Sequence, residues 1–320
     1  MRPYIIAEIG SNHNGSLKNA YKLIDVAKNS GANAVKFQLF KYYEFMGLSK
    51  KNYKELKKNE LPKTWLKKIE VYCKSKKIDL FFSVFGKTSL KMLNGLKSVK
   101  TVKIASSECT NLNLLSLVAR KFDKIILSTG MSFESDIVKA KEILELHGAK
   151  KIIVMHCVAN YPTKIKEMNL NYLNTLKNLN FFKIGLSDHS LNDISSIVSI
   201  GLGACYFEKH ITLNKKDLGP DNFYSYLPHE FKKYVKSLKD AYTSLGKNKK
   251  IISSSEKKFG RRKGIYALRN LKKGEILKKT CITTKIPNLG IRDIYLDSIL
   301  GKKIKKSVSK NKPIFIENIE

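Results

Sequence analysis

The sequence predicts a parallel (β/α)8 barrel followed by a small β-rich domain. Eight short runs rich in β-branched and aromatic residues alternate with stretches in which apolar residues recur three and four positions apart. Polar residues gather where these runs end, as they do at the carboxyl ends of barrel strands. After residue 246 the alternation stops, and short strands and tight turns take its place.

The predicted strands are residues 4–9, 34–38, 79–84, 101–105, 124–127, 151–156, 182–186 and 204–209. Amphipathic patterns predict helices at residues 17–30, 63–76, 113–121, 135–146 and 191–200. A doubly wound open sheet is the alternative fold. The glycine-rich phosphate-binding fingerprint that such sheets usually carry after the first strand is absent here, which favours the barrel.

Three segments follow from this division: a catalytic barrel at residues 1–246, a linker at 247–260 and a small domain at 261–320. The linker is polar and contains Ser253, Ser254 and Ser255. A domain of about 60 residues has a marginal core. We therefore expect the small domain to be stabilised by packing against its own barrel or against a partner subunit.

The net charge is +34, from 61 Lys and Arg against 27 Asp and Glu. This excess of positive charge is compatible with a scaffold or nucleic-acid-binding protein. Only six of the basic residues are Arg, the side chain suited to bidentate recognition of bases and phosphates, and the lysines are spread along the chain. We favour a solvated lysine surface that helps to steer an anionic substrate, without specific nucleic-acid binding.

Cysteine usage and hydropathy point to a cytoplasmic protein. The five cysteines are scattered and form no Cys-x-x-Cys pair, which favours reduced thiols over disulfides or a thiolate metal site. No window holds the run of about 18 apolar residues that a membrane span needs. Charge at Arg2 and Glu8 comes too early for a signal peptide, so we expect no membrane partner.

Two histidines follow neighbouring predicted strands. His189 follows the predicted strand at residues 182–186, and His210 follows the predicted strand at 204–209. Imidazoles at the ends of adjacent strands can share a divalent cation. Asp188 and Glu208 precede them and could orient their rings. The alternative is that each histidine is a satisfied strand-end residue, but the pair and the Gly-Pro-Asp loop ending at Asp221 favour a metal site.

Two lysines lie inside otherwise apolar strands. Lys36 and Lys103 should converge at the barrel mouth, where buried ammonium groups need opposite charge. They could pair with neighbouring glutamates, but Glu8 and Glu108 are too few for every cation, which favours an anion such as phosphate or carboxylate. Neutral donors for the same anion are available at the strand ends, on Ser106, Ser128 and Ser187.

The chain resembles the sialic acid synthase family, the phosphoenolpyruvate-dependent synthases of nine-carbon nonulosonic acids, over nearly its whole length. The matching motifs are AEIGSNHNG at residues 7–15, VKFQ at 35–38, KIASSEC at 103–109, LSTGM at 127–131, HC at 156–157, YPT at 161–163, GLSDH at 185–189, EKH at 208–210 and GPD at 219–221. Residues 261–320 resemble the small antifreeze-like (SAF) domain that ends these enzymes.

The resemblance implies that phosphoenolpyruvate, water and an open-chain N-acyl hexosamine give a 2-keto-3-deoxy nonulosonate and phosphate. His189 and His210 would hold Mn²⁺, with Mg²⁺ or Co²⁺ as alternatives, and Glu108, with Glu8, would handle protons. The implied phosphoenolpyruvate ligands are Lys36, Lys103, Ser106, Ser128 and Ser187. The implied sugar ligands are Glu8, Gln38, Tyr161 and Asp221.

The resemblance also implies a domain-swapped homodimer in which residues 261–320 cover the partner's barrel. An arginine of the family's small domain, which reaches the N-acyl group of the sugar across the dimer, is replaced here by Ile286; Lys285 and Arg292 are the candidate substitutes. The first expectation for the acceptor is N-acetylmannosamine. The alternatives are the 2,4-diacetamido-2,4,6-trideoxy sugars of legionaminate and pseudaminate synthesis, and a phosphorylated sugar used by a related aldol synthase.

Overall fold

The computed structural model describes residues 2–44 and 50–320. Contacts divide the chain into two compact units, Met1–Gly246 and Lys247–Glu320. In the first unit eight parallel strands close into a barrel, in the order of the sequence. The predicted barrel is confirmed. The strands are β1 (Tyr4–Gly10), β2 (Ala34–Leu39), β3 (Asp79–Val84), β4 (Thr101–Ile104), β5 (Lys124–Ser128), β6 (Lys151–Cys157), β7 (Lys183–Asp188) and β8 (Tyr206–His210).

The helices of the first unit follow the strands. They are α1 (Leu17–Ser30), α2 (Lys50–Asn59), α3 (Lys63–Lys76), α4 (Lys87–Met92), α5 (Leu112–Ala119), α6 (Glu134–Leu146), α7 (Tyr172–Asn178), α8 (Ile194–Gly201) and α9 (Pro228–Ser244). Helix α1 matches its prediction because both ends are capped: Ser16 accepts a hydrogen bond from the Asn19 amide, and Gly31 adopts φ +86°. Helix α8 begins later than predicted, because the side chain of Asn192 accepts the Ile194 amide in a turn.

The interior of the barrel has an apolar lower layer and a charged upper layer. Alternate residues of a strand face the same side, so Ile6 and Glu8 both point inwards, as do Tyr206 and Glu208. The lower layer is a separate buried cluster that also includes Phe81. A larger apolar cluster fills the space between the strands and the helices. Apolar side chains therefore fill the amino-terminal end of the barrel, and its polar groups lie at the carboxyl ends of the strands.

The second unit contains helix α10 (Ser254–Phe259), strand β9 (Gly264–Ala267), strand β10 (Ile282–Lys285) and helix α11 (Leu296–Ile299). Strands β9 and β10 are antiparallel. The unit has its own buried apolar core, which includes Ile265, Leu277 and Ile304. The segment expected to be a linker holds α10, because Ser253 and Glu256 form a reciprocal capping box at its start.

None of the described helices is long and apolar enough to cross a membrane. The five cysteines are free, as the sequence predicts, and all five are buried.

Candidate active site

Most of the side chains expected at the site line one cavity at the carboxyl ends of the strands. The expected residues that line it are Glu8, Lys36, Gln38, Lys103, Ser106, Ser128, Tyr161, Ser187, His189 and His210. Ser83, at the end of the third strand, also lines the cavity, and so do Cys157 and Glu208, which were not predicted for the anion site. Glu108 lies elsewhere: its carboxylate accepts a hydrogen bond of 2.8 Å from the side-chain amide of Asn111.

The two buried lysines are paired with glutamates. Lys36 Nζ lies 2.8 Å from Glu8 Oε2 and 3.6 Å from Glu208 Oε1. Lys103 Nζ lies 2.8 Å from Glu208 Oε2. The argument that too few glutamates are available was therefore wrong, because it omitted Glu208. The signal was present in the sequence: Glu208 and His210 are two residues apart on one strand, so both face the barrel interior.

The two carboxyl groups differ strongly in acidity. Burial opposes the ionisation of Glu208, but the ammonium groups of Lys103 and Lys36 outweigh it and lower its pKa to about 2. Burial raises the pKa of Glu8 to about 7, since Lys36 compensates only in part and Glu208 adds repulsion. Glu8 Oε1 has no hydrogen-bond partner among the described residues. Glu8 can thus take up or release a proton near neutral pH.

The imidazoles of His189 and His210 lie at the ends of β7 and β8, with ring centroids 5.5 Å apart. His189 Nδ1 lies 3.0 Å from the carbonyl oxygen of Val158, an arrangement that leaves Nε2 free for a metal. His210 Nδ1 is buried, has no hydrogen-bond partner among the described residues, and lies 3.7 Å from Asp221 Oδ2. Burial and nearby positive charge lower the pKa of His210 well below its usual range, and this favours the neutral form that binds metals.

This arrangement fits a divalent cation held by two protein imidazoles. Within residues 2–44 and 50–320 no group of three or more His, Cys, Asp or Glu side chains is placed to hold a metal. The remaining coordination positions would therefore be open to substrate or water, as in catalytic sites.

Asp188 does not orient either histidine. Its Oδ2 lies 3.1 Å from Lys209 Nζ and accepts a hydrogen bond of 2.8 Å from Ser196. The expected contact was wrong because Asp188 alternates with His189 and points away from the barrel interior. Glu208 faces the interior but pairs with the two lysines.

The expected sugar ligands converge around Gly10. A Cβ atom added to Gly10 would lie 3.1 Å from Asp221 Oδ2, 3.2 Å from Glu8 Oε1 and 3.4 Å from Gln38 Nε2. Tyr161 packs against His189 with ring centroids 4.2 Å apart. Two carboxyl groups, an amide and an aromatic ring beside the histidines can recognise hydroxyl and amide groups of a polar ligand.

The three serines occupy different positions at the cavity. Ser187 Oγ donates a hydrogen bond of 3.2 Å to Glu208, and Ser106 Oγ accepts one of 3.0 Å from the Gly130 amide. Ser128 ends β5 and lines the cavity. Ser83 accepts a hydrogen bond of 2.6 Å from Lys36 Nζ.

Comparison with known proteins identifies the family of this chain. The profile of the NeuB family matches residues 23–250. The chain belongs to the NeuB family. The profile of the SAF domain matches residues 262–320, so the second unit of this NeuB-family protein is the expected antifreeze-like domain. The predicted family resemblance is confirmed.

Individual NeuB-family relatives match over most of their length. The N,N'-diacetyllegionaminic acid synthase of Campylobacter jejuni is 36% identical, covering 97% of this chain and 98% of the relative. A pseudaminic acid synthase of the same species is 31% identical, covering 95% and 93%. The crystal structure of the N-acetylneuraminic acid synthetase of Leptospira borgpetersenii in complex with citrate is 33% identical, with a TM-score of 0.75 over 81% of this chain and 90% of that one.

The chain is therefore an enzyme of the phosphoenolpyruvate-dependent nonulosonic acid synthases. Among the acceptor sugars, the relatives favour the diacetamido alternatives over the first expectation, N-acetylmannosamine.

Proposed function

We propose that this enzyme condenses phosphoenolpyruvate with open-chain 2,4-diacetamido-2,4,6-trideoxymannose and releases phosphate. The observation that carries the choice of sugar is the 36% identity to a diacetyllegionaminic acid synthase across almost the whole of both chains. The altrose isomer used in pseudaminate synthesis is the second candidate, because of the 31% identity to a pseudaminic acid synthase.

The lysine cluster supports the proposed phosphoenolpyruvate site. Lys36 and Lys103 are buried and share Glu208 as counter-ion. An incoming phosphate or carboxylate would compete with Glu208 for these ammonium groups, and Ser106, Ser128 and Ser187 would supply neutral donors. This arrangement would align C3 of phosphoenolpyruvate with the sugar aldehyde, and such positioning accounts for much of the rate in reactions of two bound substrates.

The proposed metal site consists of His189 and His210, and members of this family generally depend on a metal. Mn²⁺ is the expected ion, and when bound it polarises the aldehyde oxygen as a Lewis acid. The contact of His189 Nδ1 with Val158, which leaves Nε2 of His189 available, and the buried His210 Nδ1, which has no hydrogen-bond partner among the described residues, support the assignment.

Glu8 is the proposed acid–base group. After the carbon–carbon bond forms, water adds to C2 of the former enolpyruvate, and the tetrahedral intermediate expels phosphate. Glu8 can accept the proton of that water because its pKa is about 7 and its Oε1 has no partner among the described residues. Glu108 is less suited to this role because it does not line the cavity.

The SAF domain is proposed to cover the barrel of a second copy, in a domain-swapped homodimer. Ile286, at the position of the family arginine, is 55% exposed. Lys285 donates a hydrogen bond of 2.8 Å to Asn311, and Arg292 lies 5.8 Å from the ring of Tyr295. A sugar that carries the methyl groups of a second acetamido group and of a 6-deoxy carbon suits an apolar side chain at position 286.

Phosphate release tests this function directly. The enzyme is incubated with phosphoenolpyruvate, Mn²⁺ and one of three sugars: 2,4-diacetamido-2,4,6-trideoxymannose, its altrose isomer or N-acetylmannosamine. We expect the highest kcat/KM with the first sugar, and no release with Lys103→Met. A preference for N-acetylmannosamine would overturn the choice of sugar and keep the reaction, and silence with all three would overturn the function.

A further inference from the structure

Tyr224 is a buried tyrosine beside a proposed metal ligand and a proposed sugar ligand. It belongs to the single helical turn Asn222–Tyr224 that follows β8, and its side chain is 4% exposed. Its ring centroid lies 5.1 Å from that of His210 and 5.3 Å from that of Tyr161. Tyr161 is 44% exposed. Of the two tyrosines, Tyr161 is therefore open to a ligand, whereas Tyr224 packs against the site from inside the protein.

The hydroxyl of Tyr224 holds one oxygen of Asp221. It donates a hydrogen bond of 2.7 Å to Asp221 Oδ1. Rotation about the last bond of an aspartate side chain is otherwise broad, so a bond that fixes Oδ1 also fixes Oδ2. Oδ2 lies 3.7 Å from His210 Nδ1 and would lie 3.1 Å from a Cβ atom on Gly10. Tyr224 thus turns one particular oxygen of Asp221 towards the proposed sugar site.

The main chain at Asp221 is held separately. Ser225 Oγ donates a hydrogen bond to the carbonyl oxygen of Asp221 and accepts one of 2.9 Å from Asn12 Nδ2. Asn12 Nδ2 also donates a hydrogen bond of 2.9 Å to the carbonyl oxygen of Ile211. Ser225 and Asn12 are both buried. These contacts tie the chain at Asp221 to the loop after β1, and the remaining freedom of Asp221 is the rotation that Tyr224 restricts.

We infer that Tyr224 is a positioning residue for the acceptor sugar, because its hydroxyl directs Oδ2 of Asp221 at the ligand. The inference rests on the proposed function, since it needs a sugar at Asp221. With Oδ1 bonded to the phenol, Asp221 presents a single oxygen in a fixed direction. This arrangement selects sugars that place a hydroxyl or amide N–H group at that oxygen.

Tyr226 provides a matched comparison two residues along the chain. A buried tyrosine hydroxyl usually finds a hydrogen-bond partner, whatever its role. Tyr226 is 5% exposed, and its hydroxyl donates a hydrogen bond of 3.0 Å to Asp193 Oδ1. Asp193 directly precedes helix α8 and was not predicted to belong to the site. Tyr226→Phe therefore removes the same atom and the same kind of bond as Tyr224→Phe, without a link to a proposed sugar ligand.

The first test compares the kinetics of Tyr224→Phe and Tyr226→Phe, with phosphoenolpyruvate, Mn²⁺ and the sugar that wild type prefers. We expect Tyr224→Phe to raise KM for the sugar about tenfold, because the hydrogen bond from the sugar to Asp221 is weakened. A loss of binding that is equal in ground state and transition state leaves kcat unchanged. KM for phosphoenolpyruvate and the affinity for Mn²⁺ should also stay as in wild type. Tyr226→Phe should change none of these quantities.

The second test asks whether Tyr224 acts through Asp221. In an Asp221→Ala background, Tyr224→Phe should raise KM for the sugar no further, because the group that it positions is gone. An equal rise in both backgrounds would overturn the inference. Urea denaturation should show similar losses of stability in Tyr224→Phe and Tyr226→Phe, since each variant loses one hydroxyl bond.

A crystal structure of Tyr224→Phe without substrate gives a measurement that needs no sugar. We expect the Asp221 carboxylate to rotate or to occupy more than one orientation, while the phenyl ring stays beside His210. An unchanged carboxylate would overturn the inference, as would equal KM for the sugar in Tyr224→Phe and Tyr226→Phe. Absence of phosphate release by wild type with every sugar would instead overturn the proposed function, and the orientation of Asp221 in the crystal would then decide the inference.

Discussion

Glu208 Oε2 lies 2.8 Å from Lys103 Nζ, and both side chains are almost completely buried. The same carboxylate is 3.6 Å from Lys36. Glu208 thus neutralises two lysines whose charge would otherwise be strongly destabilising inside the barrel.

Replacing Glu208 by glutamine should lower the free energy of unfolding by about 3 kcal/mol, because two ammonium groups lose their shared counter-ion. Urea denaturation of the substrate-free protein measures this change. The control is Glu142→Gln, which removes a pair with Lys139 in which both side chains are 58% exposed. The control should lose less than about 1 kcal/mol. Equal losses in the two variants would contradict the role given to Glu208.

The pKa of Glu8 makes the stability of the metal-free protein depend on pH. Folding raises this pKa from 4.5 to about 7, so between these values the folded state holds a proton that the unfolded state has lost. The contribution of Glu8 to stability should therefore be greatest below pH 4.5 and be lost as the pH rises from 4.5 to about 7, by roughly 1 kcal/mol per pH unit. In Glu8→Gln this part of the slope should vanish. Urea denaturation of wild type and Glu8→Gln across this pH range isolates the contribution of Glu8. If the free energy of unfolding depends on pH in the same way in both proteins, the raised pKa of Glu8 is refuted.

Removal of the metal should abolish phosphate release, and Mn²⁺ should restore it after EDTA treatment. His210→Asn should weaken Mn²⁺ binding at least about 100-fold, because one of two imidazole ligands is lost. Isothermal titration with Mn²⁺ alone measures this binding without relying on turnover. His229→Asn, which changes an exposed histidine, is the control and should bind as wild type. Unchanged Mn²⁺ affinity in His210→Asn would exclude the proposed site.

Gly10→Ala should impair the sugar site selectively. The new methyl group would lie 3.1 to 3.4 Å from side-chain atoms of Asp221, Glu8 and Gln38, so these groups must move. We expect kcat/KM for the sugar to fall about tenfold or more, while Mn²⁺ affinity is retained. Gly95→Ala is the matched control: φ is also positive there, at +88°, but nothing lies within 4 Å of the added atom. A similar loss in both variants would indicate backbone strain rather than crowding of the site.

The fold could be predicted from the sequence because the local hydrophobic patterns agree with the packing of the strands and helices in the structure. Strand β3 runs over Asp79–Val84 and helix α3 over Lys63–Lys76, both as predicted, since turns or caps mark their ends. The predicted start of α8 was wrong, because the side chain of Asn192 forms a turn with the Ile194 amide just before the helix. Such turns depend on single hydrogen bonds that periodicity does not reveal.

The site was predicted less completely than the fold. The sequence motifs correctly predicted that His189, Lys36 and Lys103 lie at the carboxyl ends of the strands. The ion-pair partners of charged residues were harder to predict, because they depend on which face of its strand each residue occupies. Glu208 was paired with His210 by chain proximity, whereas the structure pairs it with Lys103. Applying the two-residue alternation of strands to Glu208 would have corrected this assignment. The preference for one acceptor sugar rests on the relatives.

The ion pair between Asp188 and Lys209 has a consequence for metal selectivity. These residues face each other in the β7–β8 ladder, outside the cavity, and each directly precedes one of the two histidines. Their attraction therefore joins the ends of the two strands that carry the imidazoles. We expect substitutions of this pair to alter the spacing of the proposed metal ligands, and with it the preferred ion, from outside the cavity.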